Sequence, residues 1–231
     1  MEPALPTWSL AGALRGARLV VPLLISSFVF GLVTGAAARG AGLSLLEATL
    51  MSALVFGGTA QMVALQGWTT PVPVLPIVLT TFAVNSRLIP MSAALRPWFR
   101  HYPRATAYGT LMLLVDINWA FAMREQAAGR RDGAFILGSG LALYVNWVAS
   151  TALGHEMGGR VADIRAWGID FIVPAFCAAM LAGVVRRRHD LTPCLVGGAV
   201  AAAMALLVPG HWHVLVGGLA GSLVGLAQRD D

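Results

Sequence analysis

Long apolar stretches alternate with short polar gaps along almost the whole chain. Apolar runs of about 15 to 23 residues recur from Leu19 to the C-terminus, the length that lets an α-helix cross a bilayer. A membrane β-barrel would show alternating segments of about ten residues instead. The runs lie at about Leu19–Ala37, Ser44–Gln66, Val74–Leu95, Ala107–Met123, Ala134–Leu153, Ile169–Val185, Thr192–Leu207 and a short glycine-rich stretch after His213. The pattern predicts an all-α fold, a polytopic transmembrane helical bundle of about seven or eight spans with interrupted helices. It divides the chain into an N-terminal tail (1–17), a transmembrane domain (18–227) and a C-terminal tail (228–231).

Local signals refine these runs. Pro22 falls in a first turn, where a missing N–H is harmless, and Gly31 and Gly35 share a face suited to close helix contact. Ser44 followed by Glu47 has the spacing of a capping box, and the helix it starts is expected to continue through Gly57-Gly58 to about Gln66. Pro90 cannot donate to the Ser86 carbonyl, so the third segment should break around Asn85-Ser86-Arg87. Gly217, Gly221 and Gly225 repeat at four-residue spacing, a second face for tight packing. Val21-Pro22 with Gly31, echoed by Val173-Pro174 with Gly183, leaves an inverted repeat open, with chance as good an account.

Composition agrees. With 57% hydrophobic and 12% charged residues and a mean hydropathy of +0.72, the chain has too little polar surface to enclose a soluble domain. The net charge of +5 comes from arginines scattered in the gaps between apolar runs, as in cytoplasmic loops, so membrane topology explains it better than nucleic-acid binding. Every basic residue is Arg, which excludes a phosphate-binding GxxxxGK[ST] loop. Cys177 and Cys194 are isolated and read as small core residues. Arg15 and Arg18 before an apolar run outline a signal peptide, but the run is of membrane length. An N-terminus inside leaves nine loop arginines in the cytoplasm and six outside, the Arg96–Arg104 group among the six. That conflict with the positive-inside rule sits beside the broken segment.

Polar residues inside the apolar runs carry the candidate chemistry. Arg87 and Asp116 lie deepest, and a charge at mid-bilayer costs about 2.5–3.5 kcal/mol, so each should face protein or water with a partner in reach, the other's charge being one candidate. Gln61, Asn85, Ser86, Arg87, Asp116 and Asn118 fall at comparable depths on consecutive segments and are expected to line one cavity, beside Phe56, Gly57, Gly58 and Thr59. There a zwitterion's carboxylate would meet free backbone N–H groups or Arg87, and Asp116 would bind the ammonium or carry a coupling proton. Phe30, Val55, Phe56 and Leu88 would accept a hydrocarbon side chain. Enzyme motifs are absent: His155-Glu156 is followed at position 159 by Gly159, not the second histidine of HExxH, and Gly138-Ser139-Gly140 is not GxSxG. His211 and His213 flank Trp212 as an interfacial belt, so neither metal nor cofactor is expected.

At these residues the chain resembles the AzlC-type branched-chain amino acid permease family, whose members include the large subunit of a valine exporter. Phe30-Gly31, Gly42-Leu43-Ser44, Met51-Ser52 and above all Phe56-Gly57-Gly58-Thr59-Ala60-Gln61 follow the family's FG and FAGxxQ pattern in order. Asn85 and Arg87 match its Asn-x-Arg element, and Asp116 the first member of its Asp-Glu pair. Leu88 stands where the family often has His, and Ile117 where it has Glu, which puts substrate range and any proton relay in question. The resemblance implies gradient-driven export of branched-chain amino acids through the bacterial inner membrane by a multi-pass protein with a small AzlD-type membrane subunit. An oligomer stays open. An uncoupled channel or pore, or a scaffold subunit without transport of its own, are the alternatives.

Overall fold

Ser9 starts the first helix: its hydroxyl accepts from the Gly12 N–H at 2.9 Å, and its own backbone and side chain hydrogen-bond Asp132. In the computed structural model, which describes residues 7–158, 191–207 and 212–228, α1 therefore spans Leu10–Gly40. Residues 10–17, expected in a tail, are helical because this cap satisfies the N-terminal N–H groups before the apolar run begins. The described elements are all helices. The chain forms two compact units, Met1–Gln61 with Asn85–Val161, and Met62–Val84 with Ala162–Asp231.

In the first unit, α1 packs in parallel with α9 (Gly133–Gly158). Residue numbers rise together along the contact: Gly16 meets Phe135, Leu24 accepts from Asn146, Gly31 meets Ser150, and Gly35 meets Thr151. A Cβ on any of these glycines would collide with its partner, so the expected Gly31/Gly35 face is real and continues through Gly138 and Gly154. The parallel pair defines two ends, one at Thr7 and Asp132 and one at Arg39 and His155, where Arg39 donates to the His155 carbonyl.

Between α1 and α9 the chain makes two helical hairpins. The first enters from the His155 end, where the histidine ring bonds the Leu43 carbonyl at 2.8 Å, and the Ser44/Glu47 capping box starts α2 (Leu45–Val55) as expected. The helix does not continue through the glycine pair. Phe56 adopts a left-handed conformation, φ 42°, and α3 (Gly58–Gln66) follows. Gln61 Nε2 donates to Ser52 Oγ at 2.8 Å, although nine residues of straight helix would separate the two by about 13.5 Å. The chain turns back at Phe56-Gly57 far enough to bring Gln61 beside Ser52.

The third run does break where Pro90 requires. α4 (Val74–Asn85) and α5 (Leu88–Ala94) flank Ser86-Arg87, and the Ser86 carbonyl accepts from the Ile89 N–H at 3.0 Å instead of from proline. After α6 (Arg96–Phe99), Tyr102 packs on Trp8 and donates to the Thr7 carbonyl, so the Arg96–Arg104 loop lies at the Thr7 end. The second hairpin leaves from there. α7 (Arg104–Leu111) runs to the level of Gly140, against which Leu113 rests, and α8 (Asp116–Ala127) returns, with Gln126 accepting from the Trp98 indole at 2.8 Å. The fourth run, expected as one helix with Asp116 near its middle, is thus two. Asn118 holds the gap without glycine or proline: its Oδ1 accepts from the Val115 N–H and its Nδ2 donates to the Leu113 carbonyl, both at 2.8 Å. Leu95, Trp98, Phe99, Leu114, Ala122, Phe135 and Ile136 form the core beneath this hairpin.

In the second unit, α10 (Leu191–Leu207) and α11 (Trp212–Ala227) pair through Gly197 on one side and Gly217 and Gly221 on the other, two positions of the expected glycine face. Cys194 is half-buried in α10. Among the described residues, the helices long and apolar enough to cross a membrane are α1, Val74–Ala94 and α9; α2, α10 and most of α11 are shorter apolar helices. The run Ile169–Val185, Cys177, Val173-Pro174 with Gly183, and His211 lie outside the described residues.

Candidate functional site

The three breaks bring their polar residues to one place. Thr59 is the second residue of α3, Asp116 the first of α8, and Arg87 the residue before α5. One guanidinium nitrogen, Arg87 Nη2, lies 3.0 Å from Thr59 Oγ1 and 3.0 Å from Asp116 Oδ2, tying the two hairpin tips together. The Asn85 amide abuts Gly57, where an added Cβ would stand 3.1 Å from Oδ1. Three helices begin here, α3, α5 and α8, and the unpaired N–H groups of α3 and α8 add positive character that favours the Asp116 carboxylate and any other anion.

The ion pair is not sealed. Its side chains keep 39% and 36% of their surface exposed, so screening limits what the pair contributes to stability. Yet Arg87 Nε, on the same edge of the guanidinium as Nη2, is buried without a hydrogen-bond partner. A stranded buried donor costs about 1–3 kcal/mol. Asp116 engages one prong of an edge built for two.

The remaining expected residues divide between support and surroundings. Gln61 is buried in a separate ring of hydrogen bonds: the Trp147 indole donates to its Oε1 at 2.9 Å, its amide donates to Ser52, Ser52 donates to Thr151 at 3.0 Å, and Thr151 donates to the Trp147 carbonyl at 2.9 Å. Asn118 is engaged through both its amide oxygen and its amide nitrogen in closing the α7–α8 gap. Ser86 occupies the gap between α4 and α5. Phe56 packs edge-on against Tyr144 at 5.2 Å, and Phe30 is spent against Trp147 and Gly58 rather than lining a side-chain pocket. Sequence reasoning missed Tyr144 and Trp147, which sit one turn apart on α9 behind the first hairpin; Tyr144 also donates to the Ala53 carbonyl at 3.1 Å. The signal was two aromatics with polar ends at i, i+3 in an apolar run.

At the Thr7 end, Glu125 is buried under two arginines, Arg130 at 2.7 and 3.0 Å and Arg15 at 3.2 Å. Hydrogen bonding from Arg130 holds its carboxyl below the usual carboxylate range, against burial and with help from Arg15. This cluster ties the returning arm of the second hairpin to α1. A surface depression of about 430 Å³ lies along the outer face of α1 at Ala11, Leu14, Arg15, Arg18 and Leu19, not at Arg87. Among the described residues no three His, Cys, Asp or Glu side chains stand together as metal ligands.

These features define an all-helical membrane protein in which two helical hairpins meet tip to tip across a charged pair. The chain belongs to the AzlC family: the model of the AzlC protein family matches residues 22–161, a span that takes in both hairpins. It is similar to an uncharacterized membrane protein of Archaeoglobus fulgidus, 27% identical over 91% of this chain and 92% of the relative. A second relative, an uncharacterized membrane protein of Haemophilus influenzae, is 21% identical over 90% of this chain and 85% of its own length. No solved structure matches.

Proposed function

We propose that this protein is a secondary transporter that exports small amino acids with hydrocarbon side chains, valine, leucine and isoleucine, across the bacterial inner membrane. The observation that carries the reading is Arg87, bridging the tips of two hairpins with a buried Nε donor to spare. In transporters the N-termini of broken helices receive a substrate's carboxylate, and here α3 and α8 begin beside Arg87, whose guanidinium adds a full positive charge. AzlC membership supports transport as the class of activity.

In this reading α1 and α9 cross the bilayer, while α2 and the turn after it dip in from the His155 side and α7–α8 from the Thr7 side. Re-entrant hairpins relieve the charge conflict, because Arg96–Arg104 then joins Arg15, Arg124 and Arg130 in the cytoplasm. The hairpin tips would form the inner and outer walls of the site, and a small AzlD-type membrane subunit would complete the transporter. The test is efflux of labelled valine from preloaded cells or vesicles, with the chain alone and with that subunit. Arg87→Ala should abolish efflux while leaving protein in the membrane; wild-type efflux by this variant would remove Arg87 from the site.

A further inference from the structure

The Arg87–Asp116 pair has the two charges of a zwitterion, in mirror image. An α-amino acid carries carboxylate and ammonium one carbon apart; the tips carry guanidinium and carboxylate in direct contact at 3.0 Å. Resting on the transporter reading above, we infer that Asp116 is the ammonium acceptor and the specificity-determining residue of the site, and that its contact with Arg87 is the form the site takes when no amino acid is bound.

The guanidinium edge carries the step. Asp116 occupies Nη2 alone, and Nε beside it is buried and unpartnered. A substrate carboxylate lying along that edge takes both donors, which Asp116 does not. Asp116, released from Arg87, is left as a carboxylate at the first turn of α8 beside the arriving ammonium. Two charged contacts replace one, no bond is made or broken, and Thr59 on the other tip stays within the guanidinium's reach. The empty pair sums to zero charge, and so does the pair with a zwitterion between its members.

That balance sets the selectivity. A carboxylate without an amine would take Arg87 and strand Asp116; an amine without a carboxylate would take Asp116 and strand Arg87. Either leaves a half-exposed charge without its partner at the meeting point of the tips, and specificity comes from that penalty on the wrong ligand. Zwitterions are accepted and both half-ligands refused. Asp116 then has its role in ammonium binding rather than in carrying a coupling proton.

Competition binding tests this on the full chain in detergent or vesicles, with labelled valine against 3-methylbutanoate, which is valine's analogue without the amine, and isobutylamine, which lacks the carboxylate. The wild type should bind valine and refuse both by about tenfold or more. Asp116→Asn makes the site cationic and should invert the order, gaining 3-methylbutanoate over valine by about tenfold. Asp116→Glu keeps the charge and should keep the wild-type order, which separates the effect from misfolding. A wild type that binds 3-methylbutanoate as well as valine, or an Asp116→Asn protein that retains the wild-type order, overturns the inference. Binding with the expected inversion but no flux in vesicles overturns the transport reading and leaves the inference standing.

Discussion

Replacing Gln61 by Met isolates the ring of hydrogen bonds that pins the first hairpin to α9. The two side chains are similar in length, so little packing is lost and the change is chiefly polar. Gln61 is 1% exposed. Its removal leaves the Trp147 indole N–H, 2.9 Å from Gln61 Oε1, with no acceptor, and takes one donor from Ser52. Ser52 keeps its bond to Thr151 and suffers less. Stranding one buried donor costs about 1–3 kcal/mol, and the apolar surroundings offer no water in compensation. A loss of about 2 kcal/mol lowers the melting temperature of a chain this size by roughly 4–8 °C. Thermal unfolding followed by far-ultraviolet circular dichroism measures it. Trp147→Phe in the same background removes the stranded N–H, so Gln61→Met should cost less there than in the wild type. Strict additivity of the two substitutions would refute the reasoning, since residues joined by one hydrogen bond should be coupled.

Other outcomes follow from the same geometry. Gly58→Ala places a Cβ 2.6 Å from Trp147 and 2.7 Å from Phe30, an overpacking worth about 1–3 kcal/mol that should cut the yield of folded protein. Gly57→Ala comes tight only on the Asn85 amide at 3.1 Å, which can rotate, with the Val55 carbonyl at an ordinary 3.6 Å, and should be the milder of the two by the same yield measurement. Glu125→Gln should cost about 1 kcal/mol, its arginine partners being partly exposed. Because the folded protein holds Glu125 below its ordinary range, its contribution is complete above about pH 4.3 and is lost as the pH falls further, in a melting series that the Gln variant should not follow. Single cysteines at Arg100 and Arg131, in a protein lacking Cys177 and Cys194, should label from the same membrane face, and one at Glu47 from the other; opposite faces for Arg100 and Arg131 would end the re-entrant reading of α7–α8.

The sequence revealed some breaks and hid others for identifiable reasons. Pro90 announces the Ser86-Arg87 gap because it removes a donor at a known distance. Gly57-Gly58 was visible as an oddity, but the turn is made at Phe56, a residue type that rarely adopts positive φ, and what holds it there is a ring contributed by distant Trp147 and Thr151. The α7–α8 gap lacks glycine and proline altogether. Its only trace is Asn118 three residues past Val115, the spacing of an N-terminal capping contact, inside a run whose hydropathy gave no cause to look for a helix start.

Periodicity could not separate a re-entrant hairpin from a crossing, because two half-length helices and their turn together match the length of one span. Arginine placement could. Taking every apolar run as a crossing put Arg96, Arg100 and Arg104 on the opposite side from Arg15, and that conflict marked the very region where the chain folds back: Tyr102 reaches Thr7, and Trp98 reaches Gln126. The same folding back explains why Arg87, Asp116 and Thr59 converge while Gln61 and Asn118, at similar depths in the sequence, do not. At a hairpin tip Thr59 and Asp116, which begin the second helix, meet across the gap, and the residues two positions later, Gln61 and Asn118, are used to hold the tip closed.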